Sequence, residues 1–126
     1  MPRSFDPGAL LGSSFTLDGG VRVRLRLART SDSWLIRGLM ARAGTRAEEL
    51  EVARLVHFDP RLRAVICATA LIDSTETLIG VGAIDLDGSD EPEVLIVDAE
   101  HSQTLTELLT AALKGRAAAA GGTRAA

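Results

Sequence analysis

Three strand-like runs in close succession constrain this chain more than any other feature: "RAVICATALI", "TLIGVGAIDL" and "EVLIVD", separated only by "DSTET" and "DGSDEP". Polar turns this short hold no helix, so the runs are expected to pair antiparallel in one sheet. The first is almost continuously apolar, the pattern of a strand buried on both faces. In the second, Gly80 and Gly82 leave room for a close backbone or a packed helix. After the third, Leu105, Leu108, Leu109, Ala112 and Leu113 trace one face of a helix.

Upstream, "SSFTLDGGVRVRLRLA" places Asp18-Gly19-Gly20 between a short apolar stretch and the alternating run Val21 to Ala28, which predicts a hairpin. Thr30, Ser31 and Asp32 offer N-cap oxygens to "SWLIRGLMARAG", where Ile36, Leu39, Met40 and Ala43 share a helix face that Gly44 terminates. Thr45 and Glu48 have capping-box spacing before "RAEELEVARLVHF", a second helix with Leu50, Val52, Leu55 and Val56 available for burial. Asp59-Pro60 ends it. The expected organisation is a loose arm over residues 1–14, a single domain over 15–114, and a tail over 115–126 that is either a frayed helix extension or disordered.

Charge and composition exclude several classes. A net charge of -3 gives no field for nucleic acid or an anionic membrane. Arg22, Arg24, Arg26 and Arg29 form the densest basic cluster, and their alternation with apolar residues reads as a solvated strand face rather than a phosphate site. With 3% aromatic residues there is no stacking platform for single-stranded nucleic acid or sugars. A single cysteine, Cys67, allows no internal disulfide and fits a reducing cytosol. No run approaches the ~20 apolar residues of a membrane span, so a soluble, cytoplasmic protein is expected.

The order of hairpin, two helices, three antiparallel strands and a helix resembles the front part of the GNAT acyltransferase fold, an α+β architecture with a mostly antiparallel twisted sheet flanked by helices. The likeness is carried by "LDGGVRVRLRLARTSDSWL", by the helix-to-strand passage "ARLVHFDPRLRAVICATAL" and by "GVGAI" in the following strand, and it spans Phe15 to Leu113. It is similar to acetyltransferase domains related to those fused to acyl-CoA synthetases. In that family a Gln or Arg precedes a Gly-x-Gly or Gly-x-Ala turn after the fourth strand. Backbone amides there meet the coenzyme A pyrophosphate at a helix N-terminus.

Here the matching stretch is "AEHSQTLTELL": Gln103 stands for the leading Gln, and Thr104, Leu105, Thr106 and Glu107 fall where glycines belong. Thr104 and Glu107 have capping-box spacing, Asp98 and Glu100 add negative charge, and no Arg or Lys lies between Glu91 and Leu113. The family also continues with further strands that form the second wall of the cofactor cleft, and "KGRAAAAGGTRAA" contains no strand-like run.

Two functional readings follow from the resemblance. In one, the domain has impaired acetyl-CoA binding, needs no cofactor, and serves as a regulatory, ligand-sensing or assembly module. In the other it is an acetyl-CoA-dependent N-acetyltransferase with an atypical pyrophosphate loop. The backbone around Val97, Gln103, Thr104 and Leu105 would then hold the cofactor, and Glu100 or His101 would deprotonate the amine. The run from Glu93 to Asp98 is expected to be a sheet edge, inviting a homodimer through that edge and the surroundings of Trp34.

Other residues read more plainly. Trp34 is expected to seal the core, Cys67 to be a small core residue, and His57 to end the second helix. His57, His101 and Cys67 lack zinc-ligand spacing, and the Asp85 to Asp90 cluster lacks the twelfth-position glutamate of a calcium loop, so no metal is expected.

Overall fold

A computed structural model describes residues 12, 14–17, 19–87 and 91–125, with side chains through residue 120. The expected arm therefore lies outside the described residues apart from Gly12 and Ser14, as do Asp18 of the hairpin turn and residues 88–90 of the last turn. Five strands form one sheet: β1 (Ser14–Thr16), β2 (Arg22–Leu27), β3 (Arg63–Ile72), β4 (Thr75–Asp85) and β5 (Val94–Val97). Their spatial order is β1-β2-β3-β4-β5 and every neighbouring pair is antiparallel. Helices α1 (Ser33–Arg42) and α2 (Glu49–Val56) lie on one face, and α3 (Ser102–Ala125) lies on the other.

Period-two alternation sorts the strands between two cores. Val23 and Leu25 of β2 and Ala64, Ile66, Ala68 and Ala70 of β3 join Leu105, Leu109, Ala112 and Leu113 of α3. Val65 and Cys67 of β3 with Leu78, Val81 and Ala83 of β4 join Ile36, Leu39 and Met40 of α1 and Val52, Leu55 and Val56 of α2. The glycines of β4 serve the α3 side. A Cβ on Gly80 would come within 2.9 Å of Leu109 Cδ1, and one on Gly82 within 2.7 Å of Leu113 Cδ1. The helix is seated directly on the strand, the packed-helix alternative for this pair.

Between Ala68 and Thr69 the β3–β4 register shifts, because Gly80 pairs with Ala68 and Leu78 with Thr69. Ile79 is the extra residue of a β-bulge. It joins the α3 core beside Gly80, while Leu78 faces α1 and α2. The Ile79 carbonyl accepts the Asp98 amide at 2.8 Å, fixing the point where β5 ends.

The turn between β3 and β4 is tighter than the composition suggested, whereas the connection from β4 to β5 spans residues 86–93. Only Asp73 and Ser74, at φ of 52 and 65, separate β3 from β4, and the remaining residues of "DSTET" belong to β4. Both conformations fit the twist of a two-residue hairpin. Gly44 (φ 73) closes α1 as expected, with its own amide on Ala41 O and the Thr45 amide on Met40 O.

Several local expectations are corrected. Neither α1 nor α2 has a side-chain N-cap hydrogen bond, so the Thr45/Glu48 box does not form and α2 begins from Glu48 in extended conformation. Leu50 is 73% exposed, because α2 starts only at Glu49, three residues later than the Thr45 cap implied, and its inward face is filled by Val52, Leu55 and Val56. Trp34 is 80% exposed and seals nothing; the inward face of α1 is filled by Ile36, Leu39 and Met40. The α3 helix continues through Ala125, with Ala117 and Ala120 packed against the α3 core.

Candidate functional site

The junction of β5 and α3 is built around Asp98. Its carboxylate accepts the Glu100 amide at 3.2 Å and caps a 3-10 turn, Ala99–His101, that runs directly into α3. The helical segment thus opens earlier than the Thr104/Glu107 spacing implied, and those two residues lie inside α3 rather than at its cap. By Leu105 the backbone amides are taken up by the helix's own bonds, so the donors left over belong to the first turn after Asp98.

Leu105 itself is fully buried in the α3 core, while Gln103 and Thr104 are exposed on the first turn of α3. Val97 is half-buried, its Cγ1 3.6 Å from where a Gly80 Cβ would stand. Glu100 is exposed and His101 half-buried. Among the described residues, neither of those side chains has a hydrogen-bond partner. The structure thus gathers Glu100, His101, Gln103 and Thr104 at one helix start, but it directs Val97 and Leu105 into the core.

Sequence order hides one cation at this junction. Arg42, in the last turn of α1, reaches Asp98 with Nε to Oδ2 at 3.7 Å and donates from Nη2 to the Leu78 carbonyl. An arginine 56 positions earlier is invisible to local spacing, which recorded only acids around the helix start.

Two further charge clusters lie on the α1/α2 side. Arg26 and Asp32 form a two-pronged pair, Nη1 to Oδ2 and Nη2 to Oδ1, both at 2.7 Å. The Arg29 amide adds a third bond to Asp32 at 2.7 Å, and Asp32 is only 2% exposed. Burial by itself would raise this carboxyl, but the Arg26 fork and the Arg29 amide outweigh it and hold Asp32 below its ordinary value. Arg26 is raised in turn, chiefly by its hydrogen bonds to Asp32. Its Nε makes no hydrogen bond, with Glu76 Oε2 3.5 Å away. Arg26 is therefore not part of a solvated strand face, whereas Arg22 and Arg24 are exposed.

In the second cluster, Arg63 Nη1 bonds Glu93 at 2.8 Å and Asp85 at 3.2 Å, and Arg54 Nη2 bonds Glu93 at 3.2 Å. The Arg63 bond holds Glu93 below its usual range. This cluster flanks a cavity of about 260 Å³ floored by Val94 and Ile96, under Met40 and Leu55.

Cys67 is fully buried, and burial pushes its thiol up to about 12, far from nucleophilic at neutral pH. His57 is exposed at the end of α2. Among the described residues, no three His, Cys, Asp or Glu side chains are grouped to hold a metal. No described helix is long and apolar enough to cross a membrane.

No protein-family model matches the chain, and no curated protein matches it. Among solved structures it is similar to the crystal structure of the GNAT domain of S. lividans PAT, with a TM-score of 0.60 and 20% identity over 83% of this chain and 73% of that one. At that identity the likeness speaks for the fold, and it agrees with the strand order, the antiparallel pairing and the helix placement described above. The architecture is an α+β fold of the GNAT type, with a sheet that stays open at β5 among the described residues.

Proposed function

We propose that this GNAT-fold domain is impaired in acetyl-CoA binding and acts as a regulatory, ligand-sensing or assembly module. The observation that carries this reading is the occupied start of the α3 helical segment. The Asp98 carboxylate already takes the Glu100 amide, and the Glu100 carboxylate stands beside it. A pyrophosphate approaching this turn meets two carboxylates where it needs free amides, and no glycine lets the backbone come closer. Arg42 is engaged with Asp98 and the Leu78 carbonyl rather than held open for a phosphate.

Assembly would use β5. Its outer side carries no strand among the described residues, so alternate N–H and C=O groups point away from the sheet. A second copy adding its own β5 antiparallel would satisfy them and give a homodimer. Light scattering or a native mass at high concentration tests this, and a strictly monomeric protein defeats it.

The competing reading, an N-acetyltransferase with an atypical loop, draws on Arg42. It is a cation at the junction, and swinging from Asp98 to a phosphate would let Glu100 or His101 serve as the base near the end of β5. Calorimetric titration with acetyl-CoA and with coenzyme A separates the two. No heat and no shift in melting temperature at millimolar cofactor is the expected result. Micromolar binding, near -8 kcal/mol, would transfer the conclusion to the enzyme.

A further inference from the structure

The geometry points to a ligand site away from the α3 junction: a groove over the β1–β2 end of the α1/α2 face that takes a small organic anion, its phosphate or carboxylate held between Arg22 and Arg24. This goes beyond the reading of the junction, since it uses no residue of β5 or α3.

The two helices leave this part of the sheet bare. The core beneath α1 and α2 draws side chains from β3, β4 and β5 and none from β1 or β2. Because Val23 and Leu25 point into the α3 core, Arg22, Arg24 and Arg26 all point to the other face. The strand register then sets Arg24 between Ser14 on β1 and Thr69 on β3. Above this floor lies a cavity of about 740 Å³, a size typical of small-molecule sites, with the Gly19-Gly20 turn on its rim.

Its chemistry is amphipathic and positive. Arg26 is committed to Asp32, but Arg22 and Arg24 have no carboxylate partner among the described residues. Two residues apart on one strand face, they stand about 7 Å apart at the backbone, close enough for both guanidinium groups to converge on one anion. Thr69 is 4% exposed, and its hydroxyl has no hydrogen-bond partner among the described residues, so a donor waits in the floor beside Arg24. The acid of the groove, Glu76, sits toward Arg26 at 3.5 Å, which offsets its repulsion of an incoming anion. Leu71, 74% exposed and on the same face of β3 as Thr69, supplies apolar surface for the body of the ligand.

The test is a titration of the ¹⁵N-labelled full chain with phenyl phosphate and with benzoate, which share a ring and differ in head group. Saturable shifts at the amides of residues 19–24 and 69–72 are expected, and the head group that saturates first names the preferred anion. Arg22→Gln and Arg24→Gln should each weaken binding about tenfold. Arg46→Gln, at an exposed arginine outside the groove, should leave it unchanged. The proposal is overturned by no saturable shift with either probe in the millimolar range, by an equal loss in Arg46→Gln, or by shifts gathering at residues 99–103. That last outcome would place anion binding at the start of α3 and count against the proposed function as well. A silent titration would leave that function standing.

Discussion

The two faces of the sheet are built on opposite plans. Beneath α3 everything is apolar and close: Leu109 sits on Gly80, Leu113 sits on Gly82, and no charged side chain belongs to that core. The α1/α2 face has an apolar core of its own and adds ion pairs at its margins, with Arg26 and Asp32 near one side of the sheet and Arg63 and Glu93 near the other. It is also left partly uncovered over β2. One face is held by shape alone and the other by shape with charge at its margins. A fold retained only for packing has no need of the second plan, which is why recognition is sought on the charged face and at the α3 start.

The comparison is broken most sharply at Asp32. Replacing it with alanine leaves Arg26 largely buried without its fork and should cost about 3–5 kcal/mol in urea unfolding. The paired change Arg26→Met with Asp32→Leu should recover most of that loss. Recovery would mark the loss as that of an orphaned guanidinium, and no recovery would mean that the hydrogen-bonded pair itself holds this part of the face.

On the opposite face Leu109→Ala should cost about 2–5 kcal/mol, measured the same way and insensitive to salt. Gly82→Ala comes next, at about 1–3 kcal/mol. Its new Cβ meets Leu113 at 2.7 Å, Leu95 at 3.1 Å and the Val94 carbonyl at 3.3 Å, and that carbonyl cannot move aside without disturbing β5. Cost-free tolerance at both Gly82 and Leu109 would remove the claim that shape governs this side.

Acid sharpens the contrast further. The folded Asp32 carboxyl is lowered, so its contribution is present above the unfolded value of about 3.9 and is lost as pH falls through the folded one. Glu93 adds in the same direction. Stability should therefore drop below about pH 4 in the native chain and drop less steeply in the Arg26→Met, Asp32→Leu pair, as followed by melting temperature. The smallest effect is expected at Trp34: with the side chain 80% exposed, Trp34→Ala should change stability by no more than about 0.5 kcal/mol.

What could be read from the sequence was what local period determines. The apolar stripe of α3, the α1 face ending at Gly44 and the hairpin of β1 and β2 all follow from spacing along short segments, whereas the edge position of β5 followed from the GNAT resemblance, whose next strand has no counterpart in the sequence. What escaped it depends on groups brought together from a distance. Capping spacing at Thr45/Glu48 and Thr104/Glu107 gave way to helix starts set by neighbouring chain, as where the Ile79 carbonyl anchors Asp98. Alternation placed Arg26 on the correct strand face but said nothing of Asp32 folding back over it. Arg42 at the junction had no local signature. Trp34 and Leu50 show the limit from the other side, since apolar character alone does not say which way a helix is rolled when other residues fill its inner stripe.

The bulge at Ile79 has a consequence for how this strand can change. It works as a phase shift: residues up to Leu78 are counted in step with the charged face, and residues from Gly80 onward in step with α3. Glu76 can thereby stand beside Arg26 while Gly80 and Gly82 stand beneath the helix, in a strand that strict alternation would put on one side. Point substitutions leave that count intact, whereas removing or adding a residue next to it would set one half of β4 out of step with its partners. Length, more than identity, is the property to hold constant in this segment of any engineered or diverged version of the domain.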